Sequence, residues 1–298
     1  MKIIGKEKTC VKNILIVDGS NLLFQMFYGM PGSITDVQGR PIQATVGFVG
    51  ALLKVIRVSA PTHIAVLFDG ECPNMRRELS GDYKANREDF SQLPQEAIPF
   101  SQLPDIYAAL DYMGICHGET ADCEADDWIA GYAYCYGAEN QVTILSQDSD
   151  FFQLIHENVT VLRYRAEKSV RCDAAYIQQK LGIRAGQYAD FKSLTGDTAD
   201  NIKGAPGIGP KTAAALLQQF DTLEAILQNT NLVKKASVQN SLRQNADQLR
   251  LNYRLIKLHE TQTLPFALDQ MGYTSRGMTT GEVLRAVGIY RASSQKAT

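Results

Sequence analysis

Nine carboxylates in five separate stretches are the residues of this chain best suited to chemistry. Asp18 closes the apolar run Ile14-Leu15-Ile16-Val17, and Asp69 closes Ile64-Ala65-Val66-Leu67-Phe68. Glu124, Asp126 and Asp127 stand together in Glu-Ala-Asp-Asp. Asp148 and Asp150 follow Val142-Thr143-Ile144-Leu145-Ser146, and Asp197 and Asp200 sit in Gly-Asp-Thr-Ala-Asp-Asn. Carboxylates that end apolar strands repel one another when folding brings the strands together, and a pair of divalent ions is the best offset. His63, His117, His156 and His259 all lie outside these motifs and no Cys-x-x-Cys pair occurs, which argues against zinc. All-oxygen ligands suit Mg²⁺, with Mn²⁺ as a substitute. Two such ions about 4 Å apart clamp the attacking water and the leaving oxygen of a phosphodiester. Hydrolysis of a phosphate ester is the reaction to which these acids point.

Taken singly, each group has a plainer reading. Asp18 before Gly19-Ser20-Asn21 and Asp69 before Gly70 suit helix caps or turns. Glu124 and Asp127 share a helix face with Asp126 beside them, and three acids in a first turn also suit the helix dipole. Asp148 and Asp150 face one side of an extended segment, and Asp197 and Asp200 have i,i+3 spacing. All five groups together, three of them at one sheet edge, are hard to explain as caps.

The elements that must position them follow from the apolar pattern. Residues 13–18, 63–69, 142–146 and 159–163 read as buried strands. Residues 22–28, 45–58, 105–113 and 124–136 have helical spacing, with Trp128, Ile129 and Tyr132 at core positions. Alternation of this kind predicts a parallel sheet flanked by helices, whose ligands bind outside the carboxyl ends of the strands. Asp18, Asp69 and Asp148 all fall at that edge. Residues 74–104 carry Arg76, Arg77, Lys84 and Arg87 and three prolines but little core pattern, which marks a functional or mobile segment more than a structural one. From about residue 173 the chain reads all-helical, over 173–181, 186–196, 210–219, 221–227 and 239–258. The expected division is an α/β domain over 1–172 and a helical region over 173–298. The tail from Ser293 to Thr298 is expected to be disordered.

The chain has 298 residues, 45% of them apolar, enough to bury a large core. The net charge of −2 hides an asymmetry. Residues 1–200 hold 18 Lys and Arg against 26 Asp and Glu, a balance of −8, and residues 201–298 hold 12 against 6, a balance of +6. Without the nine acids the chain would stand at +7. An acidic pit on a basic body suits a polyanion handled through metal ions. Six cysteines without metal or disulfide spacing, a charged N-terminus with no signal-peptide core, and no long apolar run point to a cytoplasmic protein with no membrane partner.

The stretch from Gly204 through Thr212 superficially suggests a P-loop, but Pro210 separates Gly209 from Lys211 and no strand precedes it. A helix-hairpin-helix fits better. Gly207-Ile208-Gly209 forms the turn and Pro210 opens the next helix. The backbone N–H groups there face a DNA phosphate, Lys211 adds charge, and no base-reading side chain is implied. A plain packing turn is the alternative.

These motifs together resemble the 5′-nuclease family: bacteriophage flap endonucleases and the N-terminal 5′→3′ exonuclease domain of bacterial DNA polymerase I. The matching stretches are Ile-Val-Asp-Gly-Ser-Asn, Val-Leu-Phe-Asp-Gly, Tyr-Lys-Ala-Asn-Arg, Cys-Glu-Ala-Asp-Asp, Ser-Gln-Asp-Ser-Asp, and the long run from Leu194 through Ala213. They keep the family's order over roughly residues 13–258. The resemblance implies a PIN-like, mostly parallel sheet, a helical arch at about 74–104, and a helix-hairpin-helix annex. It implies that Asp18, Asp69, Glu124, Asp126, Asp127 and Asp148 hold one metal and orient the second, which Asp150, Asp197 and Asp200 complete. Asp126, Asp148 and Lys84 become the catalytic candidates, with Lys84 at the scissile phosphate. Tyr83, Lys84 and Arg87 are implied to receive the 5′ end, Arg76 to be a further basic DNA-binding position in that stretch, and Gly207, Gly209, Lys211 and Thr212 to bind the duplex. A K⁺ ion is implied at backbone carbonyls of 204–209.

There are departures. Gln25 stands where relatives often carry Arg. The segment after Arg87 lacks a Pro-Pro-Met-Pro run, is a few residues longer, and carries Phe90 and Phe100. No polymerase domain is present, so a stand-alone form is expected. The expected function is a metal-dependent, structure-specific 5′→3′ exonuclease and flap endonuclease acting as a monomer on 5′ flaps, nicks and RNA–DNA junctions. Two rivals fit parts of the pattern: a non-catalytic DNA-junction binder, and a PIN-like RNase or phosphatase using Asp148 and Asp150. The complete set of acids argues against the first. The 207–211 hairpin and the 83–87 stretch argue against the second, since small-substrate enzymes need neither.

Overall fold

The computed structural model describes residues 11–36, 38–70, 75–87, 90–94, 97–259 and 263–290. The N-terminal octapeptide, Cys10, Cys72 and the 293–298 tail, all read above from sequence, lie outside the described residues.

A sheet runs through the molecule in the order β3-β2-β1-β4-β5-β6. Its strands are β1 (Asn13–Asp18), β2 (His63–Phe68), β3 (Cys116–Glu119), β4 (Gln141–Leu145), β5 (Val159–Arg163) and β6 (Val170–Cys172). All pairs are parallel except β5 with β6. Strand β1 is buried from Ile14 to Asp18 on both faces, as the unbroken apolar run requires. Successive side chains then feed different layers. Ile14 and Ile16 join one apolar core, and Leu15 and Val17 join the other.

The core on the Leu15 side is built on α1 (Gly19–Gly29), α2 (Gln43–Ser59), α4 (Leu103–Met113) and α12 (Thr280–Ala286). The core on the Ile14 side takes α5 (Ala125–Tyr136) and runs without a break into the helical region. That region contains α6 (Ala174–Leu181), α7 (Tyr188–Thr195), α8 (Pro210–Phe220), α9 (Leu223–Gln228), α10 (Ala236–Gln244) and α11 (Ala246–Ile256). Ile144 and Val161 of the sheet share this core with Leu194, Leu217 and Leu249. Each such fully buried side chain contributes roughly 1.5–3 kcal/mol, so the two halves stabilise one another.

Three details depart from the sequence reading. The predicted helix 239–258 is broken at Asn245 into α10 and α11. A two-residue hairpin, β7 (Gly196–Asp197) with β8 (Ile202–Lys203), interrupts the helical region. In the expected arch, the described α-helix before Leu103 is only α3 (Met75–Leu79), followed by turns and short 3₁₀ segments at Phe90–Gln92 and Pro99–Gln102. Pro94 and Pro99 lack N–H donors and forbid a continuous helix there. These 3₁₀ turns are held down by rings instead. Phe24 of α1 meets Phe90 and Phe100 edge-on, with centroids 5.9 and 5.5 Å away.

Candidate functional site

Strand β1 lies between β2 and β4 and its register places Asp18 beside Leu67 and Val17 beside Leu145. The three strands therefore end level, at the point where the strand order turns from one direction to the other. This is where open α/β sheets bind ligands. Asp18, Asp69 and Asp148 meet there as the sequence predicts.

Hydrogen bonds fix the loops that carry them. Asp18 Oδ1 caps α1 by accepting from Asn21 N at 3.0 Å, and its Oδ2 accepts from Ser146 Oγ at 2.7 Å. The capping alternative for Asp18 is thus realised within the acid site. Asp69 Oδ1 accepts from Ala125 N at 2.9 Å, which ties the end of β2 to the start of α5. Gly70 has to be glycine, because a Cβ there would lie 2.0 Å from Thr120 O. Asp148 Oδ1 accepts from Asp150 N at 2.8 Å. Ser146, Ser20 and Asn21, which sequence reasoning did not single out, do the positioning. Ser146 Oγ accepts from Asp148 N, Ser20 Oγ from Asp69 N, and Asn21 Oδ1 from Gln147 N. All three sit inside the motifs, so the signal was present.

The charges are poorly compensated. Burial pushes the Asp18 carboxyl up from 3.8 to about 7, helped by Asp69 and Asp148 and opposed by its bonds to Asn21 and Ser146. Burial drives Asp126 well up, against the pull of Lys84 and with the push of Asp69, Asp148 and Glu124. Burial likewise drives Asp150 well up, with Asp148, Asp200 and Asp197 adding to it. Asp200 is raised by burial, opposed by Lys84 and Arg87. Asp148 is the acid felt by all four. Asp150 Oδ1 is buried with no hydrogen-bond partner. An orphaned carboxylate oxygen among mutually repelling acids fits a hard divalent cation. Among the described residues, no three His, Cys, Asp or Glu side chains already converge as a closed cage. The arrangement is an open basin of oxygen donors.

Asp197 and Asp200 reach the basin on the β7–β8 hairpin. Lys192 Nζ pairs with Asp197 Oδ2 at 2.5 Å. The 82–87 stretch is stapled to that hairpin. Lys84 N donates to Asp200 O at 3.1 Å, Asn86 Nδ2 to Thr198 O at 2.9 Å, and Arg87 Nη2 meets Asp200 Oδ1 at 3.3 Å. Lys84 is held in a left-handed backbone conformation at φ 54°, an uncommon state for a non-glycine residue that turns its side chain inward. Its Nζ meets Glu124 Oε1 at 2.7 Å.

Three expected assignments land elsewhere. Asp127 is latched beside Glu124 instead of joining the open basin: Arg76 binds its Oδ1 at 2.7 Å and its Oδ2 at 2.9 Å, and His259 N donates to Oδ1. Arg76, expected on the DNA, is buried at 4% exposure and spans Asp127, Glu124 Oε2 at 2.6 Å and Leu255 O at 3.0 Å. Tyr83, also expected at the DNA, is buried with its hydroxyl donating to Glu124 Oε2. The shared helix face of Glu124 and Asp127 meets Arg76 because a buried guanidinium needs acceptors and takes them from the nearest acids. Gln25, at the departure from the family, donates to Tyr164 O at 2.7 Å.

The annex hairpin presents the opposite charge. Gly207 takes φ 76°, Gly209 precedes α8, and Pro210 opens the helix. Ile208 is buried beneath the turn, while Gly207, Gly209 and Lys211 are exposed and Thr212 is half-buried. Ser241 Oγ of α10 donates to Pro206 O at 2.7 Å and fixes the loop from behind. The helix start therefore points its unpaired amides outward. No described helix is long and apolar enough to cross a membrane.

Known proteins share this fold. The family model for the N-terminal resolvase-like domain of 5′-3′ exonucleases matches residues 13–182, and that for their C-terminal SAM fold matches residues 183–278. DNA polymerase I of Rhizobium leguminosarum is 35% identical over 268 residues, 87% of this chain and 26% of that protein. The thermostable DNA polymerase I of Thermus aquaticus is 34% identical over 261 residues, 86% of this chain and 29% of that protein. The chain thus spans under a third of the length of these relatives. Among solved structures, a bacteriophage T5 flap endonuclease complex with DNA and metal ions superposes at TM-score 0.66 and 21% identity, covering 82% of this chain and 89% of that one. The catalytic core of Rad2 in complex with DNA substrate superposes at 0.56 and 15%, covering 93% of each. At such identities the two structures speak for the fold, and the family models for descent: the chain belongs to the 5′-3′ exonuclease family.

Proposed function

We propose that this chain is a Mg²⁺-dependent, structure-specific 5′→3′ exonuclease and flap endonuclease. Its substrates are DNA 5′ flaps, 5′ ends and nicks, and RNA–DNA junctions. It acts in replication and repair, as a monomer in the cytoplasm. The observation that carries this reading is the acid basin at the strand switch point, with the orphaned Asp150 Oδ1, beside a cationic arch base. The T5 and Rad2 relatives described with metal ions and with DNA support the same assignment.

Asp69, Asp126 and Asp148 would hold one ion, and Asp148, Asp150, Asp197 and Asp200 the second, with Mn²⁺ able to replace Mg²⁺. Bound ions supply positive charge to the phosphodiester and an acidified water as nucleophile. Asp18 buttresses Ser146 and so Asp148. Glu124 holds Lys84 at the edge of the basin, where its ammonium faces the scissile phosphate. Arg87, half exposed beside Asp200, faces the 5′ end. We place the body of the cutting site in residues 1–172, completed from the helical region by Asp197 and Asp200, and duplex binding in 173–298. Gly207, Gly209, Lys211 and Thr212 grip one phosphate run, and K⁺ sits at the 204–209 carbonyls. No side-chain general base is assigned.

The test is cleavage of 5′-labelled flap DNA with and without Mg²⁺, alongside Asp148→Ala. Cleavage near the junction is expected only with metal and only in the parent protein. Binding without cleavage by the parent protein would leave a junction-binding protein and remove the enzyme reading.

A further inference from the structure

We propose that Arg76 is a positioning residue that couples the seating of the helical annex to the acid basin, and that it makes no contact with DNA. The inference rests on the nuclease reading above and names the device that keeps its basin in shape. Arg76 stands on α3 at the arch base. Its guanidinium grips Glu124 and Asp127, the residues on either side of the Ala125–Asp126 pair, while Nε donates to Leu255 O at the end of α11. Asp127 N closes the same turn onto Glu124 O at 3.0 Å. A cation clamped across both ends of so short a stretch sets the direction in which Asp126 projects.

The other side of the clamp is the chain leaving α11. His259 N donates to Asp127 Oδ1 at 3.0 Å. Just before it in the chain, Gln153 Nε2 donates to Ile256 O at 3.1 Å, and Gln153 Oε1 accepts from Leu258 N at 3.0 Å. Gln153 lies in the 3₁₀ turn Asp150–Leu154. Residues 255–259 are therefore a tie-bar pinned to both acid-bearing segments, at Asp127 beside Asp126 and at Gln153 beside Asp150. Tyr83, Ala189, Ile202, Leu255 and Ile256 form a small apolar cluster over it, which joins the arch base to the annex. Duplex pressing on the annex would act on the acids through this bar, with Arg76 as its charged rivet.

A phosphate-binding arginine and a rivet give opposite results. Binding of 5′-flap DNA is measured against KCl concentration with cleavage blocked by EDTA, and single-turnover cleavage at saturating Mg²⁺ and saturating protein over DNA. For Arg76→Met we expect the slope of log Kd against log salt to stay at the parent value while the cleavage rate falls by on the order of 100-fold, the cost of a small misplacement of reacting groups. Arg76→Lys is expected to recover only part of the rate, because an ammonium lacks the planar fork that takes two carboxylates. Amide exchange at Asp127 and His259 should quicken in both variants. A slope reduced by about one, with binding and rate restored by Lys, would mark a phosphate contact and overturn the proposal. An unchanged cleavage rate in Arg76→Met would overturn it too. Should Arg76→Met fail to fold, Arg76→Lys carries the same contrast. If the parent protein itself does not cut, the nuclease reading fails, and amide exchange at His259 still decides whether the rivet exists.

Discussion

Asp126 and Asp127 are neighbours on one helix turn and have opposite fates. Asp126 faces Asp69, Asp148 and Glu124, and burial among them raises its proton affinity. Asp127 faces Arg76 and is hydrogen-bonded at both oxygens. The molecule thus keeps two kinds of buried carboxylate side by side: a basin whose negative charge is left open, and a latch whose charge is closed. Open charge costs stability in the metal-free protein and is worth keeping only where a cation will arrive. Closed charge contributes stability and geometry and is closed to an incoming ion.

The contrast can be broken most severely at its centre. Asp148 acts on Asp18, Asp126, Asp150 and Asp200, so Asp148→Ala is expected to lower flap cleavage by on the order of 10³-fold or more, measured as single-turnover rate. Asp127→Ala should act on stability instead. It removes the two-oxygen partner of a buried guanidinium and leaves only Glu124 and Leu255 O to hold it, so urea unfolding should show a loss of about 3 kcal/mol. Asp150→Asn should do the reverse and stabilise the metal-free protein by on the order of 1 kcal/mol, because it removes a buried charge that has no partner at Oδ1. Opposite signs for these two substitutions are the sharpest form of the comparison.

The pH dependence follows from the same open charge. With its carboxyl raised from 3.8 to about 7, Asp18 in the folded protein still holds a proton that the unfolded chain has released. Its contribution to stability is full below about pH 4 and is lost as pH rises through about 7. The melting temperature of the metal-free protein, relative to Asp18→Asn, should therefore fall between pH 4.5 and 7.5, while saturating Mg²⁺ should restore it at the upper end. The smallest effect belongs to the exposed annex. Lys211→Ala should weaken flap binding by a few-fold and reduce the salt slope by about one, with little change in single-turnover rate at saturating protein.

Much of this was legible in the residues. The unbroken apolar runs ending in Asp18, Asp69 and Ser146–Asp148 placed three acids at one sheet edge, because parallel strands end on the same side. Glycine and proline around Ile208 marked the annex turn, since each has a backbone property that no other residue supplies. The fate of Asp127 was hidden. Its i,i+3 spacing from Glu124 correctly put both on one face, but what that face meets is Arg76, 51 residues earlier in the chain than Asp127. Side-chain pairs at such separation leave no periodicity to read. The β7–β8 hairpin was missed because two residues per strand show no alternation, and β3 because Cys-His-Gly-Glu has no apolar pattern. The capping box Thr279–Glu282 that starts α12 was a signal present and unread.

The most direct test of open against closed charge is Mn²⁺ binding, followed by electron paramagnetic resonance, in the parent protein, Asp148→Asn and Asp127→Asn. The basin should take up two ions in the parent protein, lose most of that affinity in Asp148→Asn, and keep it to within about tenfold in Asp127→Asn. Equal loss in both variants, or Mn²⁺ retained in Asp148→Asn and lost in Asp127→Asn, would contradict the account.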